Sequence, residues 1–341
     1  MARSISEKIQ VDINGVDQGM FIKGSGVDNP LLLFLHGGPG MPEFWMTQFH
    51  PIDIYDDFTV VWWEQRGAGL SFDPDIPPET MNAEQFIEDA LEVTRYLLGR
   101  FDHDKVYLMA HSWGSYIGIQ AAARAPKLYH AYIGVGQVTH QIESEMLAYE
   151  YAAARFTDTG DRRMLRRLEA APPSMTAPLP SSYMSLRDKY MHKAGIGTIR
   201  DMRSVITGLF LPSLRSSRYT LTEKVNLWRG KLFSRTDTFG LWDTMLMTDV
   251  RVEIPRVEVP VYLLHGRHDF TCAYPLARGY LNDLIAPVKG FYTFESSAHS
   301  PIFEEPERTM AVLVVDVLNG QTSLADRREP ARIEATEIRP R

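Results

Sequence analysis

The stretch VYLMAHSWGSYIGIQAAARA, residues 106–125, decides how the rest of the chain is read. Its first five residues, Val106–Ala110, are apolar without alternation, as a strand buried on both faces is. Tyr116–Ala125 reads as a helix, and between the two lies Ala110-His111-Ser112-Trp113-Gly114. A strand that turns sharply into a helix holds a serine at the turn in strained φ/ψ. Small residues two positions to either side keep the backbones apart. Gly114 is the second of those small residues; Ala110 stands at the first, where glycine is usual. Ser112 is the candidate nucleophile.

A serine hydroxyl is a weak nucleophile until a base takes its proton. In a site of this kind the acid and then the histidine follow the serine along the chain, each at the C-terminal end of a strand. Asp269 ends the segment His265-Gly266-Arg267-His268-Asp269 after the strand Pro260–His265. His299 lies in Ser296-Ser297-Ala298-His299-Ser300-Pro301 after the strand Gly290–Phe294. Asp243 and Asp249 are fallback acids. His265 and His268, three apart on a strand, face opposite sides, so no metal site is expected. The run His36-Gly37-Gly38-Pro39-Gly40 follows the strand Leu31–Leu35, and its N–H groups can approach a ligand with no Cβ in the way. An oxyanion hole would pair one of them, Gly38 first and Gly37 second, with the N–H of Trp113.

Working outward, Asn14-Gly15 between Lys8–Ile13 and Gly19–Lys23 signals a hairpin. Thr59–Trp63 and Ala131–Val135 are further short apolar strands. Ala83–Leu98 is an amphipathic helix with Asn82 as N-cap and Gln85 at the capping-box position. Strand, helix, strand in repetition means a parallel α/β sheet. The alternation stops near Gly136 and resumes after about Val250, with a helix at Tyr274–Leu284 and a last one at Glu305–Leu318. Residues 1–138 and 251–320 thus form a discontinuous core, 139–250 a helical cap, and 321–341 a polar tail that composition alone reads as disordered. The cap holds eight of the fifteen methionines, Met146, Met164, Met175, Met184, Met191, Met202, Met245 and Met247. They suit either an ordinary helical core or an apolar lid.

Composition narrows the partners. The 341 residues carry a net charge of −7, which argues against nucleic acid. The cluster Arg162, Arg163, Arg166 and Arg167 reads as a solvated helix face. Apolar runs fall far short of the ~20 residues a membrane span needs. The single cysteine, Cys272, fits a reducing compartment, and a cytoplasmic protein is expected. The expected partner is a small-molecule or short-peptide substrate; the oligomeric state stays open.

Together with Trp63-Glu64-Gln65-Arg66-Gly67-Ala68-Gly69-Leu70-Ser71, these motifs resemble the α/β-hydrolase superfamily and, within it, the proline iminopeptidase-like branch. The resemblance implies an eight-stranded, mostly parallel sheet, a helical cap inserted after the sixth strand, and no cofactor. It implies a serine hydrolase that uses Ser112, Asp269 and His299 through an acyl-enzyme on a small ester or amide. Two features depart from the branch. Glu64 stands where Asp is usual, and the cap lacks the Trp-x-x-Trp-Glu segment whose glutamate binds the substrate amine. Glu143, Glu145 and Glu150 offer carboxylates instead, with Trp228 as a further candidate for substrate contact. Cap carboxylates in the pocket would favour an aminopeptidase; an apolar lining would favour an esterase, lactonase or thioesterase. A non-catalytic ligand-binding protein on the same fold is the third reading.

Overall fold

Asn14 and Gly15 take positive φ, 50° and 77°, and close a hairpin between β1 (Ile5–Ile13) and β2 (Val16–Gly24). A turn of that hand matches the twist of the strands it joins. In the computed structural model, which describes residues 3–236 and 238–327, this hairpin edges an eight-stranded sheet. The remaining strands are β3 (Leu31–Leu35), β4 (Thr59–Glu64), β5 (Val106–His111), β6 (Tyr129–Val135), β7 (Val261–Gly266) and β8 (Lys289–Phe294). Their order is β1-β2-β4-β3-β5-β6-β7-β8. β1, β2 and β4 pair antiparallel and every pairing from β4 through β8 is parallel.

Every residue of β3, β4, β5 and β7 is buried, which requires cover on both faces of the sheet. Alternate residues supply two cores. Leu31, Leu33, Leu35, Leu108 and Leu263 point to one; Leu32, Phe34, Met109, Tyr262 and Leu264 point to the other. The chain passes from β3 to β4 on one side and returns to β5 on the other. The crevice beyond the C-terminal ends of β3 and β5 is therefore the topological switch point, where open α/β sheets bind ligands.

Helix α1 (Ala83–Phe101) starts as its sequence predicts, with Asn82 accepting from the Gln85 N–H. The reciprocal half of a capping box is not made, because the Gln85 side chain reaches forward to Asp89 instead. Asp89 is fully buried. Its carboxylate takes the Arg66 guanidinium in a two-pronged pair at 2.7 and 2.9 Å and also accepts from Asn14 and Gln18. One carboxylate thereby joins the hairpin, the loop after β4 and α1. Helix α2 (Trp113–Arg124) follows β5 directly.

Between β6 and β7 the described elements are helical: α3 (Gln141–Asp158), α4 (Arg162–Glu169), α5 (Ser181–Ala194), α6 (Leu211–Arg215), α7 (Leu221–Ser234), α8 (Leu241–Met247) and α9 (Val250–Glu253). Entry and exit lie side by side: His140 and Asp249 form an isolated bridge, and the Val250 N–H donates to Thr139 O at 2.8 Å. α3, α4 and α5 pack on a core of their own that includes Phe156, Met164, Tyr183, Tyr190 and Met191. Met175 and Met247 are exposed. The methionines of this segment thus serve mainly its own packing and surface rather than a continuous apolar lid.

After β7, α10 (Tyr274–Asp283) leads to β8. The single last helix expected over Glu305–Leu318 is instead α11 (Pro301–Glu304), α12 (Pro306–Ala311) and a wider π-type winding over Val312–Val317. Buried Asp316 in that winding accepts from Tyr292 and from the N–H groups of Ser323 and Leu324. Those bonds pull the following chain back onto the sheet. Residues 321–327, read as the start of a disordered tail, are tied down as well: Asp326 donates to Phe291 O and its side chain pairs with Arg278. The rest of the expected tail, 328–341, lies outside the described residues. No helix among the described residues is long and apolar enough to cross a membrane.

Removing one partner of a buried ion pair strands the other charge and costs about 3–5 kcal/mol. Asp89→Ala should lower unfolding stability by that amount in urea denaturation. A loss under about 1 kcal/mol would show that the node contributes no more than a surface pair.

Candidate functional site

Ser112 sits between β5 and α2 at φ 54° and ψ −122°. A side chain in that region is strained and persists only where its surroundings over-determine it. Here the Ser112 N–H donates to Val135 O at 3.0 Å, while its carbonyl accepts from the Ser115 and Tyr116 N–H groups. The approach of α2 to the end of β3 is equally tight. A Cβ on Gly114 would lie 2.3 Å from Leu35 O, so only glycine fits. Ala110 is accommodated by Gly118, where a Cβ would come within 2.8 Å of the Ala110 methyl. Glycine at 118 is thus what makes alanine at 110 workable.

Asp269 and His299 meet as hydrogen-bonded partners, with His299 Nδ1 2.9 Å from Asp269 Oδ2. The carboxylate is fully buried. It also accepts from the Cys272 N–H at 2.9 Å, and His265 Nε2 lies 3.2 Å from it. Burial alone would raise its pKa, but His299 and His265 outweigh that and hold it well below the usual carboxylate range. His299 is shifted down from 6.5: its burial disfavours the charged ring more than Asp269 favours it, and His111 pushes the same way. Ser112 and His299 line one cavity. The backbone of Gly136 closes against this pair, since a Cβ there would be 3.0 Å from His299 Nδ1 and 3.2 Å from Asp269 Oδ2. Of the fallback acids, Asp249 caps α9 and pairs with Arg251, while Asp243 lies in the first turn of α8. No group of three His, Cys, Asp or Glu side chains among the described residues is placed to hold a metal ion.

A second buried pair was not foreseen. His111, next to the serine, has Nδ1 2.8 Å from Glu43 Oε1 and Nε2 2.8 Å from the carbonyl of His299. A carbonyl and a carboxylate both accept, so these surroundings favour a proton on each ring nitrogen. Burial lowers the His111 pKa, yet Glu43 raises it further, and the net shift is upward. Burial would raise Glu43, but His111 and the Gly37 N–H bring it below its ordinary value. The His111 and His299 rings lie 4.8 Å apart, so positive charge on His111 disfavours charging of the candidate base. The two partners are 68 positions apart, and only the place of His111 beside Ser112 marked it in the sequence.

The same pair sorts the oxyanion candidates. The Gly37 N–H donates to Glu43 Oε1 at 2.8 Å, which takes Gly37 out of that role. Gly38 lines the cavity at φ 133°. Trp113 is the first residue of α2, where an N–H has no partner within the helix. Behind them, the Trp113 indole donates to Gln65, and Gln65 donates to His36 O. His36 accepts the Gln65 N–H on Nε2 and faces Gly37 O with Nδ1. That pattern is a neutral ring protonated on Nδ1, and burial takes its pKa down to about 4. Glu64, where aspartate is usual, is buried and bonds Tyr219 and the Leu70 N–H. Burial pushes its pKa up to about 8.

None of the four substrate-contact candidates lines the cavity. Glu145 is fully buried in a bidentate pair with Arg187 and accepts from Gln141 and Tyr183. Glu143 is held by Arg251 at 2.8 Å, and Glu150 is exposed. Trp228 donates to Ser213 and meets Phe210 edge to face. Helical position alone could not tell which side of the inserted segment faces the sheet. The residues that do reach the cavity include Arg187, Asp188, Lys231, Arg235, Trp242 and Met245.

The profile of the alpha/beta hydrolase family matches residues 32–312. A probable aminopeptidase, YbaC, of Bacillus subtilis is 30% identical over 89% of this chain and 94% of its own length. A proline iminopeptidase of Clostridium botulinum is 27% identical over 85% of this chain and 89% of its own. The crystal structure of the proline iminopeptidase of Mycobacterium smegmatis superposes with a TM-score of 0.62 at 18% identity, covering 92% of this chain and 98% of that one.

Glu43→Gln removes the charge that raises the His111 pKa. Histidine NMR titration should then show the His111 pKa falling from its raised position. An unshifted His111 would mean that Glu43 does not set its charge.

Proposed function

Because this chain belongs to the alpha/beta hydrolase family, we propose that it is a serine hydrolase acting through an acyl-enzyme on a small ester or amide. The carrying observation is the serine held at positive φ in one cavity with a histidine hydrogen-bonded to a buried carboxylate. Ser112 Oγ attacks the substrate carbonyl, and its proton passes to His299 Nε2. Asp269 fixes the ring with its proton on Nδ1 and stabilises the imidazolium that forms. The N–H groups of Gly38 and Trp113 receive the oxyanion. His299 returns the proton to the leaving alcohol or amine, which departs as the carbonyl re-forms. Water then attacks the acyl-enzyme with the same base, releasing the acid and the free serine.

Relatives with aminopeptidase names support a peptidase reading. A free substrate amine, however, needs an uncompensated carboxylate to offset its desolvation. Glu143 and Glu145 are paired, Glu150 faces solvent, and the cap carboxylate that reaches the cavity, Asp188, is surrounded by cations. Substrates without a free N-terminus fit better. An ester-preferring carboxylic hydrolase with residues 139–250 as its lid is therefore the form of the function we favour. The lone buried cysteine suits a cytoplasmic setting.

A fluorophosphonate probe should label Ser112 alone, with labelling lost in Ser112→Ala. Asp269→Asn should cut kcat by roughly 10⁴-fold. Since His299 must be neutral to act and its pKa is shifted down, kcat/KM should fall on the acid side with a midpoint below 6.5. A folded protein that takes no label would point to a ligand-binding protein instead, and a midpoint above 6.5 would contradict His299 as the base.

A further inference from the structure

Part of the cavity lining comes from the inserted helices, and that part is cationic. Arg187 and Asp188 come from α5, Lys231 and Arg235 from α7 and its end, and Trp242 from α8. The charges do not cancel. Arg187 is neutralised by buried Glu145, with a 2.6 Å contact. Glu43, the remaining ionised carboxylate in the lining, is matched by His111. That leaves Lys231 and Arg235 against Asp188 alone, and Arg187 already approaches Asp188 at 3.7 Å. Among the described residues neither Lys231 nor Arg235 makes an ion pair. Their contacts are with aromatic faces, Lys231 over Trp228 at 5.1 Å and Arg235 over Trp242 at 5.5 Å. The Trp242 indole N–H is buried with no acceptor among the described residues. Burial lowers the pKa of both cations, and each is lowered further by neighbouring positive charge while Asp188 opposes the shift. A cavity wall with surplus positive charge and a spare indole donor suits an anion.

We propose that Lys231 and Arg235 form a subsite for an anionic group on the substrate's acyl portion, a carboxylate, so that the molecule cleaved at Ser112 is a half-ester or half-amide of a small diacid. This rests on the hydrolase reading above. The subsite holds the distal carboxylate on the cap wall while the scissile carbonyl faces Ser112, and Asp188 offsets part of the repulsion between the two cations. It also accounts for the missing amine-binding glutamate, since a positive wall rejects an ammonium and attracts a carboxylate.

The test compares monomethyl glutarate with methyl valerate, which differ at the far end by carboxylate against methyl, with hydrolysis followed by acid release. Hydrogen bonds to a charged group are worth about 1.5–3 kcal/mol, so kcat/KM should favour the half-ester by roughly ten- to a hundredfold. Lys231→Met and Arg235→Met should each collapse that ratio, mainly through KM. Calorimetry adds a readout free of turnover: glutarate should bind the wild-type protein more tightly than glutaramide, and the two substitutions should abolish the difference. Equal turnover of both esters, with glutarate no better bound than glutaramide, would overturn the subsite and leave the hydrolase standing. Turnover of neither ester with no labelling of Ser112 would remove the hydrolase. In that event, selective glutarate binding lost in Lys231→Met would uphold the anion site, and its absence would overturn it.

Discussion

Ser112 is held at a positive φ that its side chain resists, and the end of β3 lies too close to α2 for any Cβ at position 114. Those two facts bind the centre of the molecule together. A serine can stay at φ 54° only if its neighbours leave no room to relax, and the surrounding sheet supplies that rigidity. The Ser112 N–H donates to Val135 O and its carbonyl accepts from the Ser115 and Tyr116 N–H groups, which grips both peptide groups. The glycine at 136 then lets the His299–Asp269 pair sit directly against the neighbouring strand end. Strain of this kind is stored where the fold over-determines the backbone, and it aims one hydroxyl at the crevice.

Charge is organised around that point with little help from water. Asp269, Glu43 and His111 are buried, and in a low dielectric an unpaired charge is costly. Each is therefore matched. Asp269 is shared by two histidines and a backbone N–H, and Glu43 by a histidine and the Gly37 N–H. The Glu43–His111 pair links the glycine loop after β3, the serine turn and the carbonyl of His299. It also raises the pKa of His111 beside His299, and His111 in turn lowers that of His299. Losing the pair would disturb three pieces of the site at once.

The inserted helices obey a different economy. α3, α4 and α5 bury a core of their own, and Glu145 is spent on orienting Arg187 rather than on a ligand. What the insertion presents to the cavity is a set of long cationic side chains lying on aromatic faces. Such side chains bury their stems and keep their charged ends toward polar space. In the mechanism we propose, the sheet side supplies nucleophile, base and oxyanion donors, and in the proposed subsite the inserted helices supply the electrostatic selection. The two functions can vary separately because they come from separate stretches of chain.

The sequence by itself determined the sheet and singled out Ser112, Asp269 and His299 as the candidate residues. Short apolar strands at regular intervals, the turn residues Asn14-Gly15, and a small-residue pattern around Ser112 each reflect local backbone constraints, and these are written in consecutive residues. Asp269 and His299 were legible for a related reason, since strand ends place their following loops in a known order along one edge. Tertiary structure alone decided what depends on distant segments meeting. The Glu43–His111 pair joins positions 68 apart, and Gly37 loses its free N–H to that pair rather than to anything nearby in sequence. The capping box at Asn82 fails because Gln85 finds Asp89, whose own partners come from the hairpin and the loop after β4. Glu143, Glu145 and Glu150 share α3 with Gln141, and Trp228 shares α7 with Lys231, both of which line the cavity. Helix periodicity fixes which side chains share a face but not which way that face turns. That orientation is set by packing against the sheet, and it put Lys231, Arg235 and Trp242 in the cavity instead.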